Sequence, residues 1–527
     1  MANPEVAAER ILQLKTVREA ASRAAFLGAV RELGREGGEF TLERLDELIR
    51  VEEHFQALLL YDQIDFLREA RAPTEVDRDF ALNIQRICLE AANAFQRFLR
   101  NRNAWTTTRE SLDIMYRVTG LALNAIHSFV KWGWFLNEPG RAIPWKQVHA
   151  LYSLSESEGY SQATFVLNSA QPSFTPSVQS LYLRTLILEV LNSGSLSKVQ
   201  IEIADGWFSS WCAAYGLDAE YSPPNHTFFV DLASDAGMRL MRKDSHGDSM
   251  RYVRIDGLKA QIEEVQAGLR HGRLYAGYGA GAVFPVDEHI ALLAIIEKFH
   301  QSILAGSENP IEERTHFEDR EVDVVVGIER VMRKMREAPA APAAAPAAPV
   351  ADTIEISGGL SLTSTDATPA LAEEPADPDI ERWRVYDLSS KGYGLLVDRP
   401  DAELLLLNGL IALRNHESGG WIVGTIVRKL ANRARGEILV GIEVLGYRPI
   451  ALDAAPFSGG AALQAIYLPG IEANGKLDSI LVRNTDFRTD QVFEVKAGGV
   501  LYRLRLNRVI RKGADWLKAR FEIESKS

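Results

Sequence analysis

Cysteine is almost absent from the sequence, which has only Cys88 and Cys212 in 527 residues. Two cysteines exclude a disulfide framework and a CxxC metal site. The chain also lacks a run of about 18 uncharged apolar residues, which argues against a membrane span. Its N-terminus lacks the apolar stretch of a signal peptide. These absences predict a cytoplasmic protein without a membrane span.

Catalytic and cofactor motifs are also missing from the sequence. There is no GxxxxGK loop and no evident pair of a nucleophile and a base. The histidines show no i, i+4 spacing that would suggest metal ligands, as seen for His127, His149, His271, His289 and His300. We therefore predict no enzyme activity, no bound metal and no cofactor.

One glycine pattern superficially matches the dinucleotide-binding fingerprint, namely Gly277-x-Gly279-x-x-Ala282. That fingerprint needs a strand before it and a helix after it. Here a helical pattern precedes the glycines and Phe284-Pro285 follows too early for a helix. The pattern predicts an inter-helix loop.

Residues 1–310 are dominated by apolar residues at three-to-four spacing, which predicts successive helices with short breaks. Thr175-Pro176 predicts one helix start, and residues 226–255 predict a short β-hairpin or loop insert. Trp207 and Trp211 lie four apart, and we interpret them as core residues between helices. We predict an all-α helical-hairpin array at 1–310 that serves as an interaction platform.

A segment with no basic residue separates this region from the C-terminal part. Residues 338–349 contain only Ala and Pro, and residues 338–380 hold seven Asp or Glu but no Lys or Arg. Such a composition cannot bury enough apolar surface to fold. We therefore predict an acidic linker at 338–380.

Residues 385–445 carry the most specific motif, Asp387-x-Ser389-x-x-Gly392, followed by apolar strands that begin at Gly409, Gly424 and Gly441. Asp387 can accept hydrogen bonds, Ser389 can donate or accept them, and Gly392 can adopt backbone conformations closed to other residues. The stretch resembles the PilZ family, bacterial β-barrel receptors for cyclic di-GMP. The resemblance implies that Asp387, Ser389 and Gly392 contact the nucleotide.

The resemblance has one departure, because no RxxxR pair precedes Asp387 at the distance that nucleotide-binding members of the family show. Upstream of the linker, Val322, Val324 and Val326 alternate as in a half-buried strand. We interpret Glu321–Gly327 as the first barrel strand, with Arg314 and Arg320 flanking the mouth of the site. The alternative is that 322–336 is the last helix of the N-terminal domain.

The last region, 456–527, shows short alternating strands and predicts a second β-barrel-like unit without its own nucleotide motif. Residues 381–527 hold 22 Lys or Arg against 17 Asp or Glu, although the whole chain carries −12. This basic part suits an anionic small ligand better than DNA. Arg503 and Arg505 would lie on the solvated face of an amphipathic strand.

The predicted fold class is multi-domain α + β, with a helical domain at 1–310 and a first barrel strand within 311–337. The linker at 338–380 leads to a PilZ-like barrel at 381–455 and the second unit at 456–527. One predicted function is a cyclic di-GMP receptor that relays its signal through the helical domain to an unidentified protein partner. Motility, pili, secretion and exopolysaccharide are the candidate pathways. The alternative is a non-binding scaffold with a degenerate PilZ fold.

Overall fold

The structure is a computed structural model. It describes residues 9, 11–68, 74–105, 110–136, 143–192, 195–223, 225–241, 246–275, 277, 279–305, 315–317, 320–337, 377–389, 392–398, 405–414, 420–432, 437–457, 462–470, 478–487, 491–497 and 500–526. The chain divides into two compact units, Met1–Pro310 and Ile311–Ser527. The first is mainly helical and the second contains two closed antiparallel barrels, which confirms the predicted multi-domain α + β fold class.

The first unit is built from amphipathic and fully apolar helices. They are α1 (Ala20–Leu33), α2 (Leu42–Arg68), α3 (Glu75–Arg100), α4 (Glu110–Phe135), α5 (Trp145–Ser157), α6 (Val178–Leu191), α7 (Lys198–Trp211), α8 (Leu258–Arg270) and α9 (Val286–Ala305). Capping boxes begin α3 at Thr74, α6 at Ser177 and α7 at Ser197. Ser177 rather than the predicted Thr175-Pro176 therefore sets the start of α6.

One continuous core holds these helices together. Helix α6 is apolar around its circumference and is buried on nearly all sides, as expected for a central helix. Trp132, Trp207 and Trp211 are each at most 2 % exposed, which confirms the interpretation of Trp207 and Trp211 as core residues. Among the described residues, no helix combines the length and the apolar character that crossing a membrane requires.

A small antiparallel sheet interrupts the helices of the first unit. Its strands are β1 (Gly216–Asp218), β2 (Phe228–Asp231), β3 (Arg239–Leu240) and β4 (Met250–Arg254), in the order β1-β4-β2-β3. The sequence predicted a hairpin or loop at 226–255 and missed β1. That strand is only three residues long, too short for a detectable alternation.

The second unit begins with a six-stranded barrel. A short strand, β5 (Thr315–His316), precedes it, and the six barrel strands are β6 (Glu321–Val326), β7 (Glu381–Ser389), β8 (Gly392–Val397), β9 (Leu410–Arg414), β10 (Trp421–Asn432) and β11 (Glu437–Tyr447). The order β7-β6-β9-β10-β11-β8 closes through a β7–β8 pairing, and β5 pairs only with β7. The barrel interior is filled by apolar side chains that include Val322, Val324 and Val326.

The sequence left open whether the residues after Arg320 form a strand or a helix, and the structure contains both. Strand β6 is followed by Gly327, whose φ of 89° favours glycine, and then by helix α10 (Ile328–Glu337). Val325 points away from the barrel interior, and Ile328 joins it in a second apolar cluster. The alternation of the valines thus ends at the glycine, and the helical spacing begins directly after it.

The second barrel is closed in the order β12-β13-β14-β17-β16-β15. Its strands are β12 (Ile450–Pro456), β13 (Leu463–Leu468), β14 (Ser479–Arg483), β15 (Val492–Ala497), β16 (Val500–Lys512) and β17 (Trp516–Lys526). It begins at Ile450 rather than at the predicted residue 456. A sharp turn at Arg448, whose φ is 50°, joins the two barrels without a linker. Side chains of both barrels pack with α10 in one cluster.

Candidate functional site

The predicted ligand motif lies on the hairpin formed by β7 and β8. Asp387 pairs with Gly394 across the hairpin, and Ser389 pairs with Gly392. The Ser389 hydroxyl donates to the Gly392 carbonyl over 3.4 Å. Asp387 is 4 % exposed and Ser389 is 5 % exposed. The fold therefore brings Asp387, Ser389 and Gly392 together, with both polar side chains buried.

The two glycines of this hairpin are needed for close packing. A Cβ at Gly392 would meet the Ile442 carbonyl oxygen at 1.9 Å, and a Cβ at Gly394 would meet Asp387 Oδ1 at 2.4 Å. Gly392 lies within the regular strand β8, and its φ is not in the positive range. The expectation that Gly392 serves an unusual backbone conformation is therefore wrong. It serves the close approach of β8 to β11.

An interrupted first strand crosses the motif on the opposite edge of β7. His316 in β5 pairs with Asp387, and Glu321 in β6 pairs with Arg384. Between these two pairs the first strand has two more residues than β7, so the ladder has a bulge between Phe317 and Arg320. Bulges commonly redirect side chains near functional sites. The bulge places Arg320 beside the motif, whereas Arg314 lies outside the described residues.

The bulge brings aromatic and basic side chains to the edge of the motif. The Arg320 guanidinium lies 5.3 Å from the centre of the Phe317 ring. His316 and Tyr386 meet edge to face with their ring centres 5.0 Å apart, and Tyr386 is 40 % exposed. Sequence reasoning missed the histidine and the two aromatic residues. The signal was the position of His316 and Phe317 between Arg314 and Arg320, and of Tyr386 directly before Asp387.

A second group of polar residues lines a cavity in the helical unit. The cavity has a volume of about 170 Å³ and lies between α2, α4, α6 and α7. One wall carries four charged side chains, Lys131, Arg184, Glu202 and Asp205. The sequence did not predict this site, because its residues come from four separate helices.

These four charges neutralise one another through short contacts. The Lys131 ammonium donates to Glu202 over 2.9 Å and to Asp205 over 2.8 Å. Arg184 forms a two-pronged ion pair with Asp205, with N–O distances of 2.5 and 2.6 Å. His127 Nε2 donates to Asp205 over 2.8 Å. Asp205 is thus the centre of the network.

The network explains the direction of each pKa shift. Burial alone would raise the pKa of Asp205, but Arg184 and Lys131 outweigh burial and hold this pKa well below its ordinary value. Burial alone would lower the pKa of Lys131, but Asp205 and Glu202 outweigh it and raise this pKa. Burial lowers the pKa of His127 to about 4. Near neutral pH the network contains two cations, two anions and a neutral imidazole.

A sequence signal for this cluster existed. Lys131 and Arg184 are isolated charges within otherwise apolar helical segments, and Glu202 and Asp205 lie three apart on α7. A lone charge in an apolar helix indicates a buried partner, because an unpaired buried charge is very costly. The pairing itself could not be read from the sequence, since the partners are about 20 to 75 residues apart.

The glycine pattern Gly277-x-Gly279-x-x-Ala282 lies beside the cavity, and Gly279 lines it. It lies between α8 and α9, which confirms an inter-helix loop. A Cβ at Gly277 would meet the Gly206 carbonyl oxygen at 1.6 Å, and the Ala280 N–H donates to Glu202 over 3.0 Å. These glycines therefore allow close packing against α7. Within the described ranges, no group of three or more His, Cys, Asp and Glu side chains is arranged to hold a metal ion.

Comparison with known families finds one match, and it lies in the helical unit. Residues 6–220 match the family described as "Cyclic-di-GMP receptor FimW, N-terminal domain". The matched range is less than half of the chain and includes α1–α7, but neither barrel. No curated protein and no solved structure matches. The PilZ resemblance of the barrel therefore stays a prediction, with a separate similarity to a cyclic di-GMP receptor family beside it.

Proposed function

We propose that this protein is a cyclic di-GMP receptor that binds the nucleotide at the β7–β8 hairpin. The observation that carries the proposal is the motif Asp387-x-Ser389-x-x-Gly392 on a closed barrel, crossed by a strand that bears Arg320. The similarity of residues 6–220 to a cyclic di-GMP receptor family supports the same ligand from an independent part of the chain.

In the proposed complex, different residues of the site contact different parts of the ligand. The Asp387 carboxylate accepts N–H groups from a guanine edge, and Ser389 adds a second hydrogen bond. Arg320, together with Arg314, contacts phosphate oxygens with charge-assisted hydrogen bonds or stacks on guanine. Tyr386, which is half exposed beside His316, offers a further stacking surface.

Access to the motif requires a local rearrangement, because Asp387 and Ser389 are buried in this structure. The short strand β5 is the element suited to move, since it has two residues and both are exposed. Nucleotide binding would then order the arginine-bearing segment in a new position. We propose that this change is relayed through the helical unit to a protein partner in motility, pili, secretion or exopolysaccharide production.

The proposed role is binding rather than catalysis, in the cytoplasm and without DNA. Arg503 contacts Glu494 over 3.0 Å, Arg505 pairs with Glu524, and Arg511 contacts Glu443 over 2.6 Å. Guanidinium groups that already have glutamate partners on a barrel surface are poorly suited to phosphate-backbone binding.

A scaffold that retains the barrel but does not bind the nucleotide is the second candidate. The observation that favours it is the burial of Asp387 and Ser389 in a hairpin whose strand β7 pairs with β5. If β5 stays in place, these two polar residues only stabilise the hairpin. The two candidates differ in a single measurable property, which is saturable binding of cyclic di-GMP.

Calorimetric titration of the full chain with cyclic di-GMP tests the proposal. We expect wild-type binding at one site and weaker binding by Asp387→Ala, Ser389→Ala and Arg320→Ala. Loss of one hydrogen bond to a partly buried group costs about 1–3 kcal/mol, or roughly 5- to 150-fold in affinity. Arg503→Ala is the matched control, because it removes a surface arginine from the second barrel.

Two results would overturn the proposal. Absence of wild-type binding would favour the scaffold, and tight binding that survives the Asp387 and Ser389 substitutions would locate the nucleotide elsewhere. Circular dichroism of each variant separates loss of binding from loss of folding.

A further inference from the structure

The cavity of the helical unit has polar side chains that the protein itself does not satisfy. Asn124 and Ser128 line it and are only 6 % and 7 % exposed. Neither side chain forms a hydrogen bond to any residue that the structure describes. With Lys131 they lie on one face of α4, at positions i, i+4 and i+7.

This arrangement is unusual for a helix core, because buried polar groups are nearly always hydrogen-bonded. The polar atoms of this amide and this hydroxyl are open to the cavity, so a ligand there can reach them. Most other residues of this part of α4 are apolar, apart from members of the charged network such as His127 and Lys131, so leucine and alanine would suit positions 124 and 128 better if packing were their only role. Polar residues at positions that packing does not require commonly serve binding.

The charge of the cavity wall restricts the class of ligand. Lys131 and Arg184 are balanced by Glu202 and Asp205, so the wall carries no net charge for a phosphate or a carboxylate to neutralise. A charged ligand would lose its hydration without gaining a counter-charge. The cavity therefore favours a neutral ligand that is rich in hydrogen-bonding groups.

The size of the cavity limits the ligand further. Sites for drug-sized molecules span roughly 300–1,000 Å³, whereas this cavity has about 170 Å³. It can accept a single heterocyclic base but not a whole cyclic dinucleotide. Tyr61 also lines it and is 73 % exposed, which places an aromatic ring at the mouth where a base or its sugar would pass.

We propose that this cavity binds one purine base, and that the base is guanine. An asparagine amide can pair with the donors and acceptors of a base edge, and a lysine ammonium donates to the O6 and N7 acceptors of guanine. Asn124, Ser128 and the third N–H of Lys131 supply these groups. The choice of guanine over adenine rests on the proposed function, and these residues all lie within the matched range 6–220.

Titration of the full chain with guanosine, a neutral nucleoside, tests this site. We expect saturable binding that Asn124→Leu and Ser128→Ala each weaken by at least about tenfold. The same variants should melt at or above the wild-type temperature, because each replaces an unsatisfied polar group by an apolar one. A merely structural role would instead lower the melting temperature. Asp387→Ala, in the barrel, should bind guanosine as the wild type does.

The outcomes separate this site from the barrel site. Guanosine binding that depends on Asn124 supports the inference even if the chain does not bind cyclic di-GMP. Absence of guanosine binding at millimolar concentration overturns it, as does binding that Asn124→Leu leaves unchanged. Binding of inorganic phosphate, or of adenosine more tightly than guanosine, would also overturn it, because the cavity would then recognise a different chemistry.

Discussion

The barrel hairpin and the helical cavity both contain buried polar residues, but the two regions differ in how far apart in the chain these residues lie. In the hairpin, Asp387 and Ser389 lie within three residues of each other, and the short exposed strand β5 pairs with β7 at Asp387. In the cavity, the charged wall is assembled from three helices, α4, α6 and α7, and Asp205 holds it together through contacts with Arg184, Lys131 and His127. The hairpin residues are therefore neighbours in the chain, whereas the cavity residues are brought together from distant parts of the chain.

This difference has an energetic consequence. Residues of the hairpin are neighbours in the chain, so we expect their substitution to act mainly on the proposed ligand site. The charges of the cavity wall cannot be changed singly, because removal of one partner leaves others buried and uncompensated. The two regions should thus respond differently to substitution, and the following predictions measure that difference.

The largest effect is expected for Asp205→Ala. This change leaves Lys131 and Arg184 buried without their shared acceptor, and such losses cost about 3–5 kcal/mol. Hydrogen-exchange mass spectrometry should show that the free energy of opening of α4 and α7 falls by that amount, while the barrels are unaffected. The matched control is Asp65→Ala, since Asp65 is 63 % exposed and pairs with Arg18 over 3.3 Å. It should cost less than about 1 kcal/mol. Equal costs would contradict the rigid network.

A smaller, pH-dependent effect is expected for Glu52→Gln. Glu52 is buried on α2, where Gln56 donates to it over 2.7 Å, and burial raises its pKa to about 7. The folded state favours the protonated acid, so its stability contribution is complete below about pH 4.5 and is lost as the pH rises through 7. A shift of this size corresponds to about 3 kcal/mol.

The variant should therefore match the wild type near pH 4.5 and exceed it by about 3 kcal/mol at pH 8, because glutamine does not ionise. Hydrogen exchange of α2 at the two pH values measures this difference. Glu264→Gln, at an exposed position of α8, is the matched control, and it should leave the hydrogen exchange of α2 as in the wild type at both pH values. If the free energy of opening of α2 differed between wild type and Glu52→Gln by the same amount at pH 4.5 and at pH 8, the ionisation of Glu52 would not be coupled to folding.

The sequence predicted the features that depend on neighbouring residues. The alternation of Val322, Val324 and Val326 predicted β6, and helical spacing predicted the helices of the first unit. Local signals were less reliable where two compete, as at Thr175-Pro176, where the Ser177 capping box begins the helix. The turn at Arg448 was missed because a positive φ at arginine has no sequence signature.

The features that depend on distant residues could not be predicted. The cavity needs α2, α4, α6 and α7 in their packed positions, and no spacing rule connects Lys131 with Glu202 and Asp205. The role of Gly392 was also misjudged, because the Ile442 carbonyl that it approaches is 50 residues away in the chain. The sequence indicated which residues were unusual, but only the fold showed what each one contacts.

The smallest effect is expected for Gly394→Ala, which tests the hairpin without removing any polar group. The new Cβ would lie 2.4 Å from Asp387 Oδ1 if nothing moved, so the carboxylate must rotate away. The barrel should remain folded, because the end of a side chain can move. The proposed hydrogen bond to guanine should weaken, and we expect about a tenfold loss of cyclic di-GMP affinity, or about 1.4 kcal/mol. Gly446→Ala is the matched control, since the three atoms nearest to its Cβ all belong to the Leu468 side chain, at 3.0–3.1 Å, and not to the ligand motif. If both variants bind the nucleotide as the wild type does, the Asp387 carboxylate does not form a hydrogen bond with the ligand. That result would favour the helical cavity as the guanine site.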